Sequence, residues 1–215
     1  MKIGIGSFLL LAILAGCTFA QTKKVPSKVM TNSKANEALQ IATFGNGCFW
    51  CTEAIFQNVD GVEKVESGYM GGKVKNPSYK EVCTGTTGHA EVIQVKYDPA
   101  KVTYDELLEI FWKTHDPTTL NRQGADVGTQ YRSAVFYHSD EQRALAEGYK
   151  KKLTEVKAFD NPIVTEITPA SVFYKAEDYH QNYYNLNGSA PYCSFVIQPK
   201  VEKFKKVFKE KLKNN

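Results

Sequence analysis

No stretch of this 215-residue chain stays apolar for the roughly 20 residues that a membrane-spanning helix requires. There is no internal repeat and no second linker, which excludes repeat arrays and points to one domain. Cysteine is sparse, five residues in all, and only Cys48 and Cys51 form a Cys-x-x-Cys pair. Cys83 and Cys193 do not make a second pair, so the four-ligand knuckle of a structural zinc site lacks its ligand set. Positive charge is in modest surplus, +4 overall, and seven Lys against two Glu between Lys200 and Lys213 place that surplus in one terminal segment. A basic face for nucleic acid is therefore not indicated. What remains is ordinary globular composition, with 42% hydrophobic and 23% charged residues.

The N-terminus reads as an export signal. Lys2 supplies a minimal positive region and Phe8-Leu9-Leu10-Leu11-Ala12-Ile13-Leu14 an apolar one. The run ends in Leu14-Ala15-Gly16-Cys17, which resembles the lipobox of bacterial lipoproteins and implies lipidation at Cys17. Cleavage after Ala20 in Thr18-Phe19-Ala20 is the alternative. On the first reading residues 1–16 are the signal peptide and 17–38 a polar tether with Pro26 in it. Residues 39–213 form the single catalytic domain. The expected location is the periplasm or cell envelope, anchored to a membrane through the lipid.

Along the domain, Ala38 to Phe44 is expected as a strand that runs into the tight turn Gly45-Asn46-Gly47, with a helix from Cys48 to Asn58. Val62 to Tyr69 and His89 to Tyr97 read as further strands, joined by a loop in which Pro77 to Val82 suit a short helix. Thr103-Tyr104-Asp105-Glu106 is a capping-box pattern that opens a helix with Tyr104, Leu107, Leu108 and Phe111 on one stripe. Tyr131 to Tyr137 and Ile163 to Thr168 are expected strands, with a helix from Ser139 between them whose apolar face is Leu145, Tyr149, Leu153 and Val156. Val201, Phe204, Phe208 and Leu212 recur at helical spacing and predict a docked amphipathic helix with a solvated basic face. The sum is an α+β two-layer sandwich, a mixed sheet with helices packed on one side.

Two residues carry the chemistry of the domain. Cys48 follows a Gly-rich turn at a helix start, where the positive end of the helix dipole favours thiolate over thiol. Phe49 and Trp50 after it can wall a small apolar pocket. Cys51, three residues on, gives a spacing that resembles thioredoxin-type redox sites, although Phe49-Trp50 is unlike the Gly-Pro turn found there. Glu91 shares a strand face with Ile93 and Val95, which should point into the core. A carboxyl in such surroundings is expected to hold its proton to higher pH and to serve as an acid near neutrality. Tyr79, Asp126 and Tyr131 sit in or beside loops as hydrogen-bonding candidates, and His89 lies just ahead of Glu91.

Taken together, Gly47-Cys48-Phe49-Trp50, Gly68-Tyr69-Met70-Gly71-Gly72, Asn76-Pro77-Ser78-Tyr79, Gly88-His89-Ala90-Glu91, Gly128-Thr129-Gln130-Tyr131-Arg132-Ser133 and Ala176-Glu177-Asp178-Tyr179-His180-Gln181 resemble the A-class peptide methionine sulfoxide reductases, in that family's order. The resemblance implies a ferredoxin-like sheet and attack of Cys48 on the sulfoxide sulfur. It makes Glu91 the proton donor to the oxygen and Tyr79 and Tyr131 its hydrogen-bonding partners. Phe49 and Trp50 would hold the S-methyl group and Asp126 would orient substrate or water. The substrate would be methionine (S)-S-oxide, free or in proteins, with no cofactor and no metal. The product left on Cys48 would be a sulfenic acid. The resolving thiol implied is Cys193, with Cys51 as the alternative because it stands where the family more often has glycine. Thioredoxin or a thioredoxin-like reductant would close the cycle, and a monomer is expected.

Overall fold

The computed structural model describes residues 38–213. The signal, Cys17 and all but the last residue of the tether lie outside the described residues. Among the described residues, eight strands and six α-helices follow in order. The first half comprises β1 (Gln40–Asn46), α1 (Phe49–Phe56), β2 (Val62–Met70), α2 (Tyr79–Cys83), β3 (Ala90–Tyr97) and α3 (Tyr104–Thr114). Then come β4 (Arg122–Gln123), β5 (Asp126–Val127), β6 (Ser133–Tyr137), α4 (Asp140–Glu155), β7 (Glu166–Pro169) and β8 (Tyr174–Lys175). The chain closes with α5 (Tyr183–Leu186) and α6 (Gln198–Val207).

The main sheet has the order β7-β6-β1-β3-β2-β8, antiparallel except for the parallel β6–β7 pair. Its inner four strands, numbered among themselves by sequence, run 4-1-3-2, which is the order of a ferredoxin-like β-α-β-β-α-β unit. The expected mixed sheet with helices on one face is what forms. Strand alternation decides the two faces. Ala42, Phe44, Ile93, Val95, Tyr97 and Val135 join the core beneath α1, α3 and α6. Ala90, Val92, Met70, Ala134 and Phe136 form a smaller cluster on the opposite face, closed by Ala170 and Phe173 rather than by a helix.

Local chemistry sets the ends of the helices. Ser78 and Glu81 make a capping box at α2, and Thr103 and Glu106 make another at α3. Helix α6 puts Val201, Phe204 and then Phe208 into the core, so the basic terminal segment docks as its spacing predicts.

Three expectations need correction. Tyr131 is not in the strand but in a one-turn 3-10 helix, Thr129–Tyr131, because Gly128 at φ 150° breaks the extended run before it. The strand expected from Ile163 begins only at Glu166, where pairing with Ala134 of β6 starts. On α4, Leu145 and Val156 are exposed and Ala146 is buried, since this helix lies at the sheet's margin over β6 and β7 and turns only part of its apolar stripe inward. Cys193 opens a π-helical turn, Cys193–Ile197, that runs directly into α6.

Candidate active site

The turn Gly45-Asn46-Gly47 delivers Cys48 to the N-cap of α1. Gly47 has φ 93°, and a Cβ there would meet Cβ and Cγ of Gln123 at 2.6 Å. Gln123 in turn clamps the Asp116 peptide, accepting its N–H at 3.1 Å and donating to its carbonyl at 3.0 Å. Both the backbone conformation and the close approach require glycine. Gly47→Ala is expected to cost roughly 2–4 kcal/mol of stability, read as a lower denaturation midpoint.

A cleft of about 190 Å³ opens over Cys48. Its walls bring together the residues expected to act on substrate: Cys48, Phe49 and Trp50 from the start of α1, Tyr79 from α2, Glu91 from β3, Asp126 from β5, and Tyr131; the alternative resolving thiols Cys193 and Cys51 do not line it. Tyr192 completes it, a residue that sequence reasoning did not assign to the site.

Glu91 lies on the same face as Ile93 and Val95, as the alternation predicts, and is 1% exposed. The Phe49 N–H donates to its Oε2 at 3.1 Å. Burial raises its pKa to about 8, reinforced by the nearby Asp126 and Cys51 and opposed by that one hydrogen bond. The group is therefore a neutral acid at pH 7.

Trp50 is fixed on three sides. Tyr183 of α5 stacks on the indole with centroids 3.8 Å apart and 8° between planes. The indole N–H donates to His180 Nδ1 at 3.1 Å, and Tyr192 meets it edge-on. Phe49 is buried against Tyr69, Tyr79 and His180. The result is a rigid apolar wall beside the sulfur. Tyr79 is anchored through its backbone N–H to Glu177 Oε1 at 2.8 Å, while Glu177 Oε2 accepts from Tyr69 at 2.9 Å. Burial keeps both Tyr79 and Tyr131 protonated far above neutrality, so each is a hydrogen-bond donor. Tyr192 donates to Asp126 Oδ2 at 2.7 Å, which ties the two walls of the cleft together.

His89 does not reach the cleft. It is buried, accepts the Gly72 N–H at Nδ1 (3.0 Å) and pairs Nε2 with the Val74 carbonyl (2.7 Å), so it shapes the loop after β2.

The thiols differ from expectation. Cys48 sits at a helix N-terminus, yet its pKa is raised well above the ordinary thiol value by burial, then by its hydrogen bond to Cys51 and the charges of Cys51 and Glu91. The helix dipole does not outweigh them. Cys51 moves the other way: its pKa falls to about 7, first through the neighbouring Cys48 thiol and then through Lys200, against the opposing effect of burial. A three-residue spacing puts the two cysteines at the N-cap and in the first turn of α1, where the Cys51 N–H donates to the Cys48 carbonyl at 3.2 Å. Cys193 is fully buried, and burial followed by the charge of Cys51 raises its pKa. Cys83, at the end of α2, is exposed and borders Tyr79 rather than the other thiols. Among the described residues no group of three or more His, Cys, Asp or Glu is placed to hold a metal.

A ferredoxin-like domain with two thiols at one helix start and a neutral buried acid at an apolar cleft defines a thiol-dependent oxidoreductase. Comparison with known proteins narrows this. The family model described as peptide methionine sulfoxide reductase matches residues 40–212. A Rhodopirellula baltica protein named peptide methionine sulfoxide reductase MsrA 1 is 54% identical over 182 residues, covering 85% of this chain and 94% of the relative. The MsrA of Sulfolobus acidocaldarius is 55% identical, covering 80% and 97%. Among solved structures, reduced Mxr1 of Saccharomyces cerevisiae matches with TM-score 0.68 at 39% identity, over 73% of this chain and 90% of that one. Methionine sulfoxide reductase A of Corynebacterium diphtheriae matches with TM-score 0.63 at 37% identity, over 75% and 81%. The chain belongs to the peptide methionine sulfoxide reductase family.

Proposed function

We propose that the chain reduces methionine (S)-S-oxide, free and in proteins, with Cys48 as nucleophile and Glu91 as acid. The observation that carries this is a neutral carboxylic acid facing a thiol across a cleft whose third side is the Phe49–Trp50 wall. The wall takes the S-methyl group, and Tyr79 and Tyr131 donate to the sulfoxide oxygen. Cys48 sulfur attacks the sulfoxide sulfur and the S–O bond of the substrate breaks. Oxygen is transferred to Cys48, methionine leaves, and Cys48 becomes a sulfenic acid. Glu91 gives its proton to the oxygen and, as carboxylate, takes the proton that Cys48 releases. Asp126, bonded to Tyr192, orients the substrate or water at the open end.

Recycling then needs a second thiol. Sequence pointed first to Cys193; the placement of Cys48 and Cys51 at the N-cap and in the first turn of one helix favours Cys51 as the thiol that meets the sulfenic acid. Thioredoxin or a thioredoxin-like reductant then opens the disulfide. We place the enzyme in the cell envelope, held to a membrane through lipidated Cys17, a proposal that rests on the sequence of residues 1–20. Palmitate labelling that persists in Cys17→Ser would overturn the anchor.

The deciding experiment supplies purified protein with dithiothreitol and each epimer of methionine sulfoxide. Methionine release from the S epimer alone is expected. Reduction of insulin disulfides with no sulfoxide reduction would make the chain a general dithiol oxidoreductase instead.

A further inference from the structure

Cys51 is one turn inside α1, 4% exposed, and faces groups from four other elements. Cys48 is the N-cap of the same helix, and the Tyr192 hydroxyl is 3.9 Å from the Cys51 sulfur. Cys193, Asp126 and Glu91 are its further titratable neighbours. The remaining neighbour is a cation. Lys200, in the first turn of α6, reaches across 149 positions of sequence to place Nζ 3.9 Å from Cys51 Sγ. Its side chain is half-buried, and among the described residues no carboxylate forms an ion pair with it. The family role of the cleft residues does not account for this contact, since Lys200 does not line the cleft over Cys48. It lines instead a separate cavity of about 310 Å³ on the other side, with Lys203 and His115.

We propose that Lys200 is a positioning residue for the recycling half of the reaction, its ammonium holding Cys51 as the thiolate that resolves the Cys48 sulfenic acid. The proposal rests on the reading of Cys51 as the resolving thiol. In that step Cys51 sulfur supplies the electron pair of the new S–S bond and is oxidised, while the sulfenic sulfur is reduced and its S–O bond breaks. The oxygen leaves as water, taking the proton that Cys51 gave up on becoming thiolate. No outside oxidant is needed. A cation beside a thiolate lowers the thiol pKa, and a thiol titrating near ambient pH is the fastest attacker. The direction of the change at Cys51 agrees, with Lys200 the second of the two leading influences that lower its pKa, after Cys48. A solvent-facing ammonium at this distance is worth about one pH unit in the thiol it faces.

Lys200→Met and Lys200→Arg, both at a half-exposed position, test this. Iodoacetamide alkylation of reduced protein is followed against pH, with peptide mass analysis reading Cys51 alone. In Lys200→Met the Cys51 profile is expected to move up by about one pH unit, and in Lys200→Arg to return to the wild-type position. Rapid mixing with methionine sulfoxide is expected to give one methionine per enzyme in both variants. In Lys200→Met the disulfide should then form a few-fold more slowly at pH 7 and at the wild-type rate near pH 9, where the thiolate no longer needs the cation. An unmoved Cys51 profile in Lys200→Met overturns the proposal. Mapping of the first disulfide separates the two readings: a bond from Cys48 to Cys193 with a moved profile sinks Cys51 as resolver while leaving Lys200 as its charge partner.

Discussion

Glu91→Gln is expected to slow methionine release in the first turnover by roughly 10²–10⁴-fold, the usual worth of a positioned acid. Glutamine keeps the shape of the side chain and can still accept the Phe49 N–H, but it has no proton to give. Rapid quench of reduced enzyme with methionine sulfoxide and no external reductant reads this step alone. The wild-type rate should fall as pH rises through about 8, where Glu91 ionises, and the variant should lack that fall. Stability should follow the same ionisation. A carboxyl whose folded pKa is raised from 4.5 to about 8 contributes stability that is fully present below about pH 4.5 and is lost as pH rises through about 8. The loss integrates to a few kcal/mol, since each pH unit between the unfolded and folded pKa values is worth about 1.4 kcal/mol. Between pH 5 and 8 the wild-type melting temperature should therefore decline more steeply than that of Glu91→Gln. A first-turnover rate unaltered in the variant would remove the acid role, whatever its stability did.

That residue is legible in the sequence because a strand has a period of two. A charged side chain on the apolar face of an alternating strand is an inconsistency, and inconsistencies of that kind mark function. Cys48 is legible for a similar local reason, a Gly-rich turn at a helix start, and so are Phe49 and Trp50 beside it. The strand order is not. Nothing local to β1 says that it lies between β3 and β6. The acidity of the thiols misleads for the same reason. A helix N-terminus is a local feature and predicts a Cys48 thiolate; burial and the partners of the thiols are not local, and they raise the Cys48 pKa and lower that of Cys51. Lys200 lies 149 positions from Cys51 and Tyr192 lies 141. His180 and Tyr183, which hold Trp50, come from a segment whose spacing carries no periodic signal, although His180 stands within a motif of the resemblance. Sequence thus exposes the reacting groups, and topology supplies the residues that tune them.

The second large effect concerns the pair of thiols that the sequence ranked the other way, Cys193 ahead of Cys51. In Cys51→Ser, turnover driven by thioredoxin is expected to stop after one methionine per enzyme, leaving a Cys48 sulfenic acid that dimedone captures. In Cys193→Ser, cycling should continue. The reason is motion. Cys48 and Cys51 occupy the N-cap and the first turn of one helix, and the Cys51 N–H donates to the Cys48 carbonyl at 3.2 Å, so a disulfide between them involves no other element of the fold. Cys193 is fully buried at the head of a π-helical turn, where the Ser194 N–H bonds the Ala190 carbonyl at 3.0 Å and the segment continues into α6. Bringing its sulfur past Cys51 to Cys48 would require that turn to unwind and its core position to empty. A Cys193 that resolved directly would therefore make recycling depend on local unfolding, and recycling would slow sharply in any condition that stabilises α6. Cys51 imposes no such dependence. Sustained cycling in Cys51→Ser, with loss of cycling in Cys193→Ser, would reverse the assignment and would mean that the π turn opens on the timescale of turnover.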